Sequence, residues 1–160
     1  MDSPDPAAAV VAALTERGQL LATAESLTGG LLGAAITAVP GASVAYLGGV
    51  VAYATAMKHR LAGVDADLLA SDGPVSERTA VALAAGVRAA TGADWALATT
   101  GVAGPAQQDG HEPGEVWVGL AGGTVQPRAE RYDFTGDRAA IRAAAVRAAL
   151  ALLADALAAD

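Results

Sequence analysis

The sequence predicts an α/β protein, a three-layer α/β/α sandwich built on a mixed β-sheet. Three observations carry this prediction. Helical and strand-like patterns alternate from residue 5 to about residue 100, the order that builds parallel strands covered by helices. Two later strand-like segments, Glu115 to Ala121 and Gln126 to Phe134, meet at Gly122-Gly123 and read as an antiparallel pair. The run Trp95-Ala96-Leu97-Ala98 is apolar without alternation and continues into Thr99-Thr100, which reads as a buried strand. No linker is long enough to divide the chain and no repeat is visible, so residues 1–160 are expected to form one domain.

Asp5-Pro6 opens a first helix, with Asp as N-cap and Pro at the first helical position. Val10, Val11 and Leu14 continue it to about Gly18. A short apolar run from Gln19 to Ala22 begins a strand that reaches Ser26. A helix follows to about Ala38 and ends at Pro40-Gly41. Tyr46 to Tyr53 reads as the second strand, Ala56 to Ala62 as a short helix, and Asp65 to Leu69 as one more turn. Ser71-Asp72-Gly73-Pro74 is expected to be a loop. Ser76 caps the next helix, with Thr79 where a full capping box has Glu, and Val81, Leu83 and Val87 carry it to Thr91-Gly92. Gly101 to Gly114 is glycine- and proline-rich and reads as a loop. Thr135-Gly136-Asp137 caps a last helix whose apolar side holds Ile141, Ala145, Val146, Leu150 and Leu153.

Composition narrows the function. Hydrophobic residues make up 53% but aromatics only 4%, so the core is packed from small side chains. With net charge −7 and only 10 Lys and Arg, no nucleic-acid partner is expected, because such binding rests on phosphate neutralisation. The absence of cysteine excludes disulfides, thiolate zinc sites and a cysteine nucleophile. The uncharged run from Ser26 to Met57 is long enough to suggest a membrane span. Pro40-Gly41, Gly48-Gly49 and five hydroxyl residues interrupt it, so no membrane association is expected. The start, Met1-Asp2-Ser3-Pro4-Asp5, is acidic where a secretory signal is basic, and a cytoplasmic protein is expected.

Chemistry concentrates at Ala24-Glu25-Ser26-Leu27-Thr28-Gly29-Gly30, where a strand gives way to a helix. A serine there projects its hydroxyl from the carboxyl end of a sheet, where open α/β folds place ligands. The glycines permit a tight turn, and free N–H groups from Thr28 to Gly30 would hold a phosphate or a developing oxyanion. The other reading is an ordinary capped junction. Two further loops fall at strand ends: Tyr53 to Lys58, and Thr100-Gly101-Val102-Ala103-Gly104-Pro105. Lys58 is the first charge after the uncharged run. Apolar surroundings disfavour an ammonium, so a neutral Lys58 would take a proton from Ser26, with the Tyr53 hydroxyl as a relay between them. Lys58 followed by His59 and Arg60 also reads as a solvated helix surface. Two histidines, His59 and His111, keep a Ser-His-Asp arrangement open. No paired metal-ligand spacing occurs, and no metal is assigned. Gly101 to Gly104 would cradle a phosphate through backbone N–H groups, although neither a P-loop nor a dinucleotide fingerprint is present. Arg138 and Arg142 lie four apart at the start of the last helix and would clamp a phosphate, or simply form an exposed face.

The sequence resembles the C-terminal domain of CinA, the family that includes the stand-alone PncC-type nicotinamide mononucleotide amidohydrolases. The residues that carry the resemblance are Thr23 to Gly30, Gly48 to Tyr53 with Lys58, Gly73-Pro74-Val75-Ser76-Glu77, and Thr100 to Pro105. Gly136-Asp137-Arg138 with Ile141-Arg142 is a weaker match. The resemblance implies hydrolysis of the carboxamide of nicotinamide mononucleotide to nicotinic acid mononucleotide and ammonia, without a cofactor. It implies Ser26 as nucleophile, Tyr53 and Lys58 as activating partners, and Thr100 and Arg142 as substrate contacts. Family resemblance further implies a homo-oligomer, and its second reading is a catalytically weak module associated with competence and DNA repair through a RecA-like protein. Three departures stand out. Leu27 replaces a common cysteine and is expected in the core. Ala106-Gln107-Gln108 follows Gly104-Pro105 where an acid or glycine is usual. Glu112-Pro113-Gly114-Glu115-Val116 exchanges a lysine for an acid near the expected phosphate site.

Overall fold

In a computed structural model of the chain, residues 4–160 are described; the acidic start Met1-Asp2-Ser3 lies outside them. The elements are α1 (Pro6–Arg17), β1 (Leu21–Glu25), α2 (Leu31–Thr37), a 3₁₀ turn (Ala42–Val44), β2 (Tyr46–Val51), α3 (Thr55–Ala62) and α4 (Ala66–Asp72). They continue with α5 (Glu77–Thr91), β3 (Trp95–Gly101), β4 (Glu115–Gly122), β5 (Val125–Asp133) and α6 (Arg138–Ala159). The helix starts follow their caps: the side chains of Asp5, Ser76 and Asp137 accept from the N–H groups of Ala7, Thr79 and Ala140. Ser71 and Asp72 differ from expectation, since they complete α4 instead of forming a loop. Asp65 caps that helix and buried Leu69 anchors it, so the chain stays helical until Gly73.

The sheet order is β2-β1-β3-β4-β5. β1 pairs in parallel with β2 and β3, while β3–β4 and β4–β5 are antiparallel, which makes the sheet mixed as expected. Helices α1, α2 and α6 cover one face, and α3, α4 and α5 cover the other. The alternation of strand side chains divides the core unequally. Leu21, Trp95 and Leu97 point to the α1/α6 side, and Ala22, Ala24, Ala96 and Ala98 point to the α5 side. The small face lets α5 lie very close to the sheet. A Cβ on Gly119 of β4 would stand 2.1 Å from the Ala80 carbonyl oxygen of α5; α3 packs as closely on α5, where a Cβ on Gly86 would stand 1.7 Å from the Ala62 carbonyl oxygen. The buried apolar residues of this layer are alanine, valine and leucine. Among the described residues, no helix is long and apolar enough to cross a membrane.

β1 lies between β2 and β3, and the chain crosses one face to reach β2 and the other to reach β3. A crevice consequently opens at the carboxyl ends of β1 and β3, where such a switch of direction places ligands.

Candidate active site

Ser26 is the first residue past β1. Its N–H donates to the Thr99 carbonyl at 3.0 Å, which extends the β1–β3 pairing by one residue. The chain then turns, and the Gly29 N–H donates back to the Ser26 carbonyl at 3.0 Å. Gly29 and Gly30 have φ of +54° and +106°, which explains the glycine pair. Leu27 is buried in the core, as expected of a leucine at that position.

Lys58, in α3, comes to the same point. It is 1% exposed, and its Nζ donates to Ser26 Oγ at 2.9 Å, to the Ala52 carbonyl at 3.0 Å and to the Tyr53 carbonyl at 3.3 Å. The two carbonyls are available because β2 ends at Val51 and the backbone turns away from the sheet. All three acceptors are uncharged oxygens. Burial lowers the Lys58 pKa to about 8. At this distance a hydroxyl and an uncharged amine can exchange a proton.

Ser26 and Lys58 open into a cleft of about 290 Å³. Tyr53, Thr55, Pro74, Val75, the whole segment Thr100 to Gln108, and Arg138 complete its lining. In a chain of net charge −7, the basic side chains of the cleft are Lys58 and Arg138, and no carboxylate lines it among the described residues. Arg138 crosses the rim, donating from Nη1 to the Gly104 carbonyl at 2.7 Å and from Nη2 to Tyr53 Oη at 3.0 Å.

Several expected site residues have other duties. The Tyr53 hydroxyl does not lie between Ser26 and Lys58. Tyr53 is 60% exposed and its hydroxyl meets Arg138, while its backbone carbonyl holds Lys58. Thr100 lines the cleft, but its hydroxyl donates to the Pro74 carbonyl at 2.6 Å and so anchors the wall. Thr28 is buried, with its hydroxyl paired to that of Thr99 at 2.8 Å. Neither it nor Gly29 nor Gly30 lines the cleft. Two of the three N–H groups expected to be free for an anion are occupied: that of Gly29 donates to the Ser26 carbonyl, and that of Gly30 to the Glu25 side chain at 3.2 Å. Arg138 and Arg142 do not form a clamp. Arg142 donates from Nε to the Leu27 carbonyl at 2.9 Å and from Nη2 to that of Thr28 at 3.1 Å, outside the cleft lining.

Gly101 and Gly104 do line the cleft, but the Val102 N–H between them donates to the Glu115 carbonyl. Neither histidine lines it. His59 bonds the Val64 carbonyl at 2.7 Å, and His111 pairs with Glu115 at 2.9 Å. The acids Glu112 and Glu115 also stay outside the lining. Glu25 went unassigned in the sequence. Its signal in the sequence is an acid at the end of a strand-like segment, directly before Ser26; the full burial of that strand, which obliges the acid to find partners, is visible only in the structure.

Known proteins share this arrangement of elements. A competence-damaged protein (CinA) superfamily protein of Klebsiella pneumoniae superposes with a TM-score of 0.92 at 38% identity, covering 99% of both chains. The competence/damage inducible protein CihA of Agrobacterium tumefaciens superposes with a TM-score of 0.89 at 31% identity over 98% of both chains. A CinA-like protein of Frankia casuarinae is 53% identical over 146 residues, covering 90% of this chain and 33% of its own length. One from an Anaeromyxobacter species is 51% identical over 147 residues, with 91% and 36% covered. The chain thus spans about a third of the length of these curated relatives. The CinA C-terminal domain model matches residues 4–157, from the N-cap region of α1 to the last turn of α6, and the chain belongs to that family.

Proposed function

We propose that this chain is a serine amidohydrolase that removes the carboxamide nitrogen of nicotinamide mononucleotide. The single observation that carries this reading is the 2.9 Å contact between Ser26 Oγ and the buried Lys58 Nζ. The guanidinium of Arg138, in a lining without a carboxylate among the described residues, supports an anionic substrate and is the cation for its phosphate. The volume suits a small molecule.

Neutral Lys58 takes the Ser26 proton as Oγ attacks the carboxamide carbon. The carbonyl electron pair moves to oxygen and a tetrahedral intermediate forms. Lys58 then gives its proton to the departing nitrogen, the C–N bond breaks, and ammonia leaves an acyl-Ser26 ester. Water enters, Lys58 removes one of its protons, and the second tetrahedral intermediate collapses with return of a proton to Ser26 Oγ. The carboxylic acid formed ionises in the cleft. Throughout, the Ala52 and Tyr53 carbonyls keep Nζ in place.

Incubation of the purified chain with nicotinamide mononucleotide should release ammonia, and Ser26→Ala should reduce that release by about three orders of magnitude or more. The melting temperature should hold, because only a hydroxyl is lost. A variant that keeps more than about a tenth of the rate would remove Ser26 as nucleophile.

A further inference from the structure

The loop that displays Ser26 is gripped by opposite charges from two sides. Glu25 closes β1 directly before Ser26 and is 3% exposed. Its Oε1 accepts from the N–H groups of Gly30 at 3.2 Å and Leu32 at 2.8 Å, and its Oε2 from that of Gly33 at 3.1 Å. α2 has no side-chain cap at Gly30, so the strand-borne carboxylate performs that task. The seat is tight: a Cβ on Gly33 would stand 3.0 Å from Tyr46 Oη and 3.4 Å from Glu25 Oε2. Arg142 reaches in from α6 and satisfies the carbonyls of Leu27 and Thr28. The acid therefore takes three donors at the end of this loop and the base two of its acceptors, while the Gly29 N–H closes the turn on the Ser26 carbonyl.

A buried carboxylate is costly unless fully bonded, and three charge-assisted bonds answer that cost. A serine or aspartate at the N-cap would satisfy the helix equally well. A carboxylate on residue 25 does more. By reaching residues 30 to 33 it closes a ring of chain around Ser26 and restricts the backbone dihedrals within it. The Thr28–Thr99 hydroxyl pair ties the middle of that ring to β3. We propose that Glu25 and Arg142 are positioning residues that hold the Ser26 hydroxyl against Lys58, so that the chemical step depends on them and substrate affinity does not. The inference rests on the serine–lysine reading above.

The test uses the full chain with Glu25→Gln and Arg142→Ala, and two readouts. One is covalent labelling by a fluorophosphonate, in which Ser26 Oγ displaces fluoride; the other is turnover of nicotinamide mononucleotide. In Glu25→Gln an amide NH₂ replaces an oxygen that now accepts from backbone N–H. Labelling should slow roughly 10- to 100-fold, with kcat falling in proportion. KM should stay within about twofold and the pH at which the rate levels off should be unchanged. Arg142→Ala should behave alike and regain rate when free guanidinium is added. Should Glu25→Gln melt below the assay temperature, the Arg142→Ala rescue decides, and failure of guanidinium to restore rate overturns the proposal. Wild-type labelling rates in both variants overturn it, as does a raised KM with kcat preserved. A wild-type chain that turns over substrate without labelling at Ser26 overturns the serine–lysine reading, and the positioning role falls with it.

Discussion

Lys58 dictates how the rate should respond to pH. Its Nζ is buried among three uncharged oxygens, so no anion offsets the loss of hydration, and its pKa falls from 10.5 to about 8. Such a base is about one-tenth neutral at pH 7, half neutral at about pH 8 and nine-tenths neutral at about pH 9. kcat/KM should thus rise about tenfold between those limits and then level off. An ordinary lysine would give a rise of about 100-fold with no plateau before about pH 10. The same ionisation marks stability. The folded pKa lies below the unfolded one, so the charged lysine costs about 3 kcal/mol of folding free energy below pH 8, and the cost fades as pH rises from about 8 to about 10.5. Lys58→Met has no such ionisation. Its stability difference from wild type should shift by about that amount in favour of wild type across this window, read from denaturant melts at each pH. Ammonia release against pH measures the rate profile. A log-linear rise without inflection would refute the lowered pKa. A Lys58→Arg variant with more than about a tenth of wild-type turnover would refute the base, since guanidinium does not give up its proton.

Tyr53→Phe should keep at least about half of kcat, because its hydroxyl faces Arg138 and not the serine; an inactive variant would put the phenol in the proton path. Arg138→Ala should raise KM for the mononucleotide about tenfold or more and leave the phosphate-free riboside nearly unaffected, while equal losses on both would move the phosphate elsewhere. Gly86→Ala should lower stability by about 1–3 kcal/mol or more although alanine is the better helix former, since its Cβ would meet the Ala62 carbonyl oxygen; an unchanged or raised melting temperature would show that α3 and α5 separate freely.

Local chemistry made most of the fold legible. Asp5, Ser76 and Asp137 announce their helices because a cap acts within three residues, and the alternation of helix and strand gives the layers. The motif around Ser26 marked the turn after β1 because that turn needs its glycines there. Helical periodicity placed Arg138 and Arg142 on one face correctly, yet four residues advance a helix by about 6 Å. That step leaves Arg138 at the rim of the cleft and sets Arg142 against the carbonyls of the Ser26 loop. Tyr53 was close by in sequence, but the turn after Val51 decides that its carbonyl faces Lys58 while its phenol faces Arg138. Of the N–H groups from Thr28 to Gly30 that the sequence offers to an anion, that of Gly30 is taken by Glu25, because a sequence does not show which side chain arrives first. By itself the sequence determined the order of elements, their caps and the strand end that carries Ser26, since each depends on neighbours a few residues apart. Tertiary structure alone decided the burial of Lys58 and the partners of Tyr53, Arg138 and Arg142. Those contacts join residues as far as 115 positions apart, and only the packing of helices on the sheet brings them within hydrogen-bond range.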